Sequence, residues 1–171
     1  MPCGVGIMII YHPANDVNHC SYRILNILFS AKDNKVHCDM LKIVSFYYIY
    51  PHLLKRMESL PRPLNYQAKI INNINDSFEL TPSPSNLFFE MNSTHEAAIF
   101  SLRQKSLINI DKNIVNLEKE NLPNELIKRF EADKITKSDL FKILVECLPK
   151  VKLDGDNGLK AKCGLMEYKY D

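Results

Sequence analysis

The sequence describes a mainly α chain with a small β ribbon, on three observations. Short segments with apolar residues three and four apart fill the first 75 positions. Two alternating apolar runs, Leu107–Ile110 and Asn113–Leu117, flank Asp111-Lys112 and read as a pair of strands. Further helical patterns carry Leu126, Ile127 and Phe130, and then Leu140, Phe141, Leu144, Val145 and Leu148. Short helices followed by a two-strand ribbon suggest a winged-helix-like arrangement.

Asp16 can cap a helix that starts at Val17, its carboxylate accepting from free N–H groups of the first turn. Cys20, Ile24, Ile27 and Leu28 keep helical spacing after it, and Lys32-Asp33-Asn34-Lys35 closes the segment. Asp39 is a second cap candidate, for a helix running toward Tyr50. Pro51 breaks that helix because it lacks an N–H and clashes with the preceding turn. An apolar face continues through Leu53, Leu54 and Met57 to Leu60, and Pro61-Arg62-Pro63 makes a stiff corner. Residues 65–75 carry a further helical period on Tyr66, Ile70, Ile71 and Ile74.

Residues 77–92 contain Thr81-Pro82-Ser83-Pro84-Ser85 and read as a loop or linker. They separate an N-terminal helical block, 1–76, from a winged-helix-like block, 93–171. Ser93 and Glu96 fit a capping box at the start of a helix to about Lys105. Pro123 suits a helix start, and Thr136 or Ser138 can cap a helix that Pro149 ends. In the tail, Asp154–Gly158 reads as a turn leading into a strand with alternating Leu159, Ala161, Cys163 and Leu165, and with Tyr168 and Tyr170 on one face. The apolar run Val5–Ile10 reads as an initial buried strand or extended segment, too short for a membrane span.

Charge is nearly balanced in both halves, eight Lys/Arg against seven Asp/Glu in residues 1–90 and fourteen against thirteen in 91–171. Bulk charge therefore makes no case for a nucleic-acid binder. The five cysteines are widely spaced and include no C-x-x-C pair, so reduced thiols in a cytoplasmic protein fit better than a disulfide framework or a zinc site. None of the five histidines forms H-x-x-x-H. His19-Cys20 and His37-Cys38 are a poor metal set, because neighbouring side chains point in different directions. Cys3-Gly4-Val5-Gly6 lacks the ending of a phosphate loop. Nothing local activates Cys38 or Cys147 as a nucleophile. No catalytic residue, metal site or cofactor site is expected.

The segment Lys42–Leu54 stands apart, with Phe46, Tyr47, Tyr48 and Tyr50 inside five positions and Pro51-His52 after them. Successive helical residues lie about 100° apart, so these rings must be covered from more than one side. The expectation is that Phe46 faces the chain's own core, while Tyr47, Tyr48, Tyr50 and His52 are candidates for a partner interface. In the lysine-rich last third, Lys137 and Lys142 are the candidates for DNA contact. Asp133, Asp139 and Glu146 interleave with them, which favours a mixed solvated surface.

Several stretches taken together resemble a known family. They are Tyr11-His12-Pro13-Ala14-Asn15-Asp16 with Tyr22-Arg23-Ile24-Leu25, the run Phe46–Leu54, Leu60-Pro61-Arg62-Pro63, and Gly158 through Tyr168. In this order they are similar to the middle component of bacterial ABC-three-component systems, a family that includes the C subunit of Lamassu-type antiphage defence complexes. The resemblance implies a non-enzymatic adaptor with a winged-helix-like fold. It implies partners on two sides, an SMC-like ABC ATPase that senses foreign or aberrant DNA ends and an effector, often a nuclease. A winged-helix DNA-binding transcriptional regulator is the alternative, and a hydrolase built on Cys38 or Cys147 stands behind both.

Overall fold

The computed structural model describes residues 12–166. The strand expected over Val5–Ile10, together with Cys3, Tyr168 and Tyr170, lies outside them. Helix α1, Val17–Ser30, begins where Asp16 accepts from the backbone N–H groups of Asn18 and His19, at 2.8 and 3.0 Å. At its other end the Asn34 side-chain amide donates to the carbonyls of Leu28 and Phe29. Two orphan groups of the last turn are thereby satisfied. The chain reverses through Asp33 and Asn34, both left-handed, into strand β1, Lys35–His37.

Helix α2, Cys38–Ile49, is capped by His37, whose Nδ1 accepts from the Asp39 N–H. The expected cap, Asp39, sits two residues further in, within the first turn, and pairs with Lys160 at 2.7 Å. A carboxylate there still favours the positive end of the helix. Past Tyr50 the chain tightens into a 3-10 helix, Pro51–Arg56, and then forms two short helices, α3 (Arg62–Asn65) and α4 (Ala68–Asn72).

The largest correction concerns the stretch 77–92. Only its first part is loop, because helix α5 runs unbroken from Pro84 to Gln104. Proline at the first helical position is preorganised for this start. Leu87, Phe88 and Met91 then bury at helical spacing, with the Phe88 ring 5.6 Å from Phe46 on α2. The Ser93 capping box does not form. Ser93 is mid-helix, and the Glu96 carboxylate is held by Lys42.

Strands β2, Ile108–Asp111, and β3, Ile114–Leu117, form the expected ribbon. Both residues of the connecting turn, Lys112 and Asn113, have positive φ, 46° and 67°. That backbone twist matches the twist of a hairpin. Strand β1 adds to the far side of β3, giving an antiparallel sheet of order β1-β3-β2. Val36, Val115 and Ile110 align across one face, with Val115 fully buried between them. Helix, strand and helix, then helix and hairpin, with the first strand joining the hairpin's inner arm, is a winged-helix-like order. Residues 50–83 are inserted between its second and third helices.

After α6, Asn124–Ala132, Ser138 caps α7, Asp139–Lys142, by accepting from Phe141 N–H. A π turn, Ile143–Cys147, and a 3-10 turn, Leu148–Lys150, continue it past the expected end. The expected C-terminal strand is absent from the described tail, which folds as helix α8, Leu159–Cys163. Gly164, left-handed at φ 61°, closes that helix. Lys160 locks it down on Asp39 and Asp154. In the turn before α8, a Cβ at Gly158 would come within 2.6 Å of the Asp154 carbonyl, so the turn closes only around glycine. One hydrophobic core cluster extends from Ala14 to Leu165.

Candidate partner interface

Helix α2 buries seven of its twelve residues and leaves none fully exposed. Met40, Leu41, Ile43, Val44, Ser45, Phe46 and Tyr47 are all inside. Phe46 lies 5.3 Å from both Tyr47 and Tyr50. The cover that the aromatic run demands thus comes from the chain itself, through Phe88 of α5, Phe141 of α7 and Arg23 of α1.

This places the four interface candidates unequally. Tyr47 is 2% exposed and is a core residue, contrary to the sequence expectation. It follows Ile43 and Val44 by four and three positions, so the helix turns it to the same inner face. Its burial pushes the phenol well above its ordinary pKa. His52 is also buried, with Nε2 left without a partner. Burial lowers its pKa, and Arg56 lowers it further. Tyr48 and Tyr50 are half-buried. Tyr48 carries the Arg23 guanidinium over its ring at 5.9 Å and meets Phe141 edge-on. Tyr50 stacks on His12 at 5.9 Å. Burial raises its pKa, and the charge of Glu90 on α5 raises it further.

Beneath these rings lies a polar node that the sequence reading did not find. Arg23 Nε donates to Ser45 Oγ at 2.8 Å, and Ser45 Oγ lies 2.9 Å from His95 Nε2. Arginine can only donate, so Ser45 accepts from it, and the direction of the Ser45–His95 bond follows the histidine tautomer. Among the described residues His95 Nδ1 and Arg23 Nη2 have no partner. Desolvation, aided by the Arg23 and Lys42 charges, holds His95 neutral with its pKa lowered to about 3. The Ser–His distance is that of a nucleophile–base pair, but both side chains are sealed from solvent and no carboxylate orients the ring. The node ties α1, α2 and α5 into one register. No local signal marks it, because its members are 22 and 50 residues apart.

The outer face of α5 carries two exposed rings. Phe89 and Phe100 are 59% and 64% exposed, and Ser93, Ala97, Glu90 and Glu96 surround them. This helix precedes the hairpin, the position from which a winged helix would enter a DNA groove. Groove-reading helices present arginine, lysine, asparagine or glutamine to bases and phosphates. Along its middle turns α5 presents phenylalanine and carboxylate instead. Lys137 and Lys142 are exposed, but they lie at the turn before α7 and on α7. Lys142 has Asp139 3.9 Å away.

An open groove of about 1020 Å³ runs beside β1, floored by Val36, Met40, Ile114, Val145 and Val151 and rimmed by charges of both signs. The dipeptides His19-Cys20 and His37-Cys38 do not converge. His19 is exposed at the start of α1, whereas Cys20 is buried and His37 caps α2. Among the described residues no group of three His, Cys, Asp or Glu side chains is placed to hold a metal ion. Nor is any helix among them long and apolar enough to cross a membrane.

The structure is thus a winged-helix-like core whose outer helix carries exposed rings flanked by carboxylates. The family model for the ABC-three component (ABC-3C) system Middle Component 5 matches residues 9–171. The chain belongs to that family and is a component of such a system. No curated protein and no solved structure matches it.

Proposed function

We propose that this chain is a non-catalytic adaptor that joins an SMC-like ABC ATPase to an effector, such as a nuclease, in a Lamassu-type antiphage complex. The observation that carries this reading is the outer face of α5. Exposed rings at the helix best placed for groove entry suit a protein partner, and the exposed Glu90 beside them disfavours phosphate. The half-buried Tyr50 and Tyr48 are further contact candidates, and DNA is reached mainly through the complex. The two partners' identities come from the family resemblance.

The test is co-expression with the other components and capture through a tag on this chain. Wild type should retain the ATPase. Phe100→Glu should lose most of it at an unchanged melting temperature, because the ring is already in solvent. A stable monomer that ignores the ATPase would overturn the proposal. The second reading, a DNA-binding regulator using Lys137 and Lys142, draws on the strand order and on the exposure of both lysines. It requires duplex affinity whose logarithm falls with log salt at about −0.9 per phosphate contact. Absence of binding at low salt eliminates it.

A further inference from the structure

Strand β1, Lys35–His37, pairs with β3 on one side only, at the edge of a sheet of order β1-β3-β2. In an antiparallel pair, residues whose backbone N–H and C=O face the partner strand alternate with residues whose groups face away. Cys38 N–H donates to the Asn113 carbonyl at 2.7 Å, and the register puts Val36 opposite Val115 on the same ladder. Val36 therefore faces β3, while Lys35 and His37 turn their backbone groups outward. The hairpin agrees. Glu118 N–H donates to the Leu107 carbonyl at 2.9 Å, which directs Asn116 and Ile114 to β2 and leaves Val115 for β1. The His37 carbonyl opens helix α2. The Lys35 N–H and C=O and the His37 N–H have no backbone partner among the described residues.

The open groove follows this edge. Successive strand residues point to opposite faces, so a groove lined by Lys35, Val36 and His37 together runs along the strand's edge. Its other wall is the chain from Val145 to Asp154. The rim charges are polarised along β1. Lys32 and Lys35 stand at its start, and neither has an ion-pair partner among the described residues. Asp111 stands at its end, because Ile114 is aligned with both Asp111 and His37. Asp154 joins that end, where Lys160 holds its pKa down and His37 adds a smaller effect. On the far wall Glu146 and Lys150 offset each other.

We propose that an extended segment of another protein component of the same ABC-three component system adds to β1 as a further strand of the sheet. Its apolar side chains enter the groove, with an acidic residue at the Lys32 and Lys35 end and a basic residue at the Asp111 end. The proposal rests on the adaptor reading for the existence of that neighbour, and adds a contact separate from the outer face of α5. The main chain selects the occupant, because unpaired N–H and C=O groups at strand spacing above an apolar floor match a polypeptide strand. A second copy fits poorly. Pairing β1 with β1 would set Lys35 against His37, and the Val145–Asp154 wall stands where the copy's own sheet would continue. The chain's own start is tethered at the other end of α2, where His12 stacks on Tyr50, about 18 Å away along a helix of that length.

The test compares two substitutions at His37 in the full chain co-expressed with the other components. His37 has φ −61° and ψ 141°, a conformation that proline adopts without strain, and its N–H lies outside the β3 ladder. His37→Pro and His37→Ala both lose the side-chain cap on Asp39 N–H, but only proline also removes the outward donor. His37→Pro should retain about tenfold less of one component than His37→Ala, at a matching melting temperature. Lys35→Glu should cost the same component about fivefold, and unchanged capture would overturn the acidic complement. Amide exchange is the second readout. The Lys35 and His37 N–H groups should exchange freely in the isolated chain and at least about tenfold more slowly in the complex. Equal retention by the two His37 variants, or no protection in the complex, overturns the added strand. Protection already present in an isolated monomer would give the groove to the chain itself. Protection that follows dimer formation would give it to a second copy. Either result overturns the assignment to another component. If wild type captures nothing, the adaptor reading fails first and the proposed neighbour falls with it.

Discussion

Arg23, Ser45 and His95 show how a buried charge shapes this molecule. The guanidinium lies among α1, α2 and α5 with a serine, an aromatic face and a neutral histidine around it. Such a node contributes little net stability, and we assign it the role of fixing how the three helices meet. It also makes stability depend on pH. His95 has its folded pKa lowered from 6.5 to about 3, so between those values the unfolded chain binds a proton that the folded chain does not. Its contribution is complete above pH 6.5 and is lost as pH falls toward 3. From pH 7.5 to pH 5 the loss should be about 2 kcal/mol. His95→Gln keeps a hydrogen-bond partner for Ser45 and removes the titration, so its urea midpoint should fall less over that interval. Identical pH profiles for the two proteins would show that His95 does not carry this linkage.

At the scale of elements, the signals that worked were local. Asp16 and Ser138 cap the helices they were expected to cap, since a cap needs only the next three residues. The hairpin followed from alternation around a two-residue turn. Its sequence is suboptimal, because Lys112 has a side chain at positive φ. Lys112→Asn with Asn113→Gly should stabilise the protein by about 1 kcal/mol in chemical denaturation. No gain would mean that the turn is not held in the twisted form. The failures were also physical. The capping box at Ser93 lost to a helix already nucleated at Pro84, which could bury Leu87, Phe88 and Met91. Strand β1 is three residues long, too short to show alternation, and exists because β3 offers it an edge. The tail alternates in apolarity as a strand would, yet folds as a helix turn capped by Gly164 and anchored through Lys160.

For the whole molecule, the question is which aromatic side chains belong to this chain and which are offered outward. Tyr47→Ala should open a cavity in the core and cost about 3–4 kcal/mol of stability. Tyr50→Ala should shift the melting temperature much less and should weaken capture of the other components more. Thermal melts and pull-downs on the two variants separate these roles, and a reversed ranking would move the interface away from Tyr50. The sequence by itself determined the helical content, the hairpin, the lack of catalytic and phosphate-binding motifs, and the resemblance that the family match bears out. These depend on periodicity and on neighbouring residues. Only the tertiary structure decided that Tyr47 is core, that Tyr48 and Tyr50 sit at the border, and that Arg23 meets Ser45 and His95. It also left Phe78 and Leu80 exposed between α4 and α5. Burial and hydrogen bonding of those side chains depend on residues distant in the chain, and packing alone brings them together.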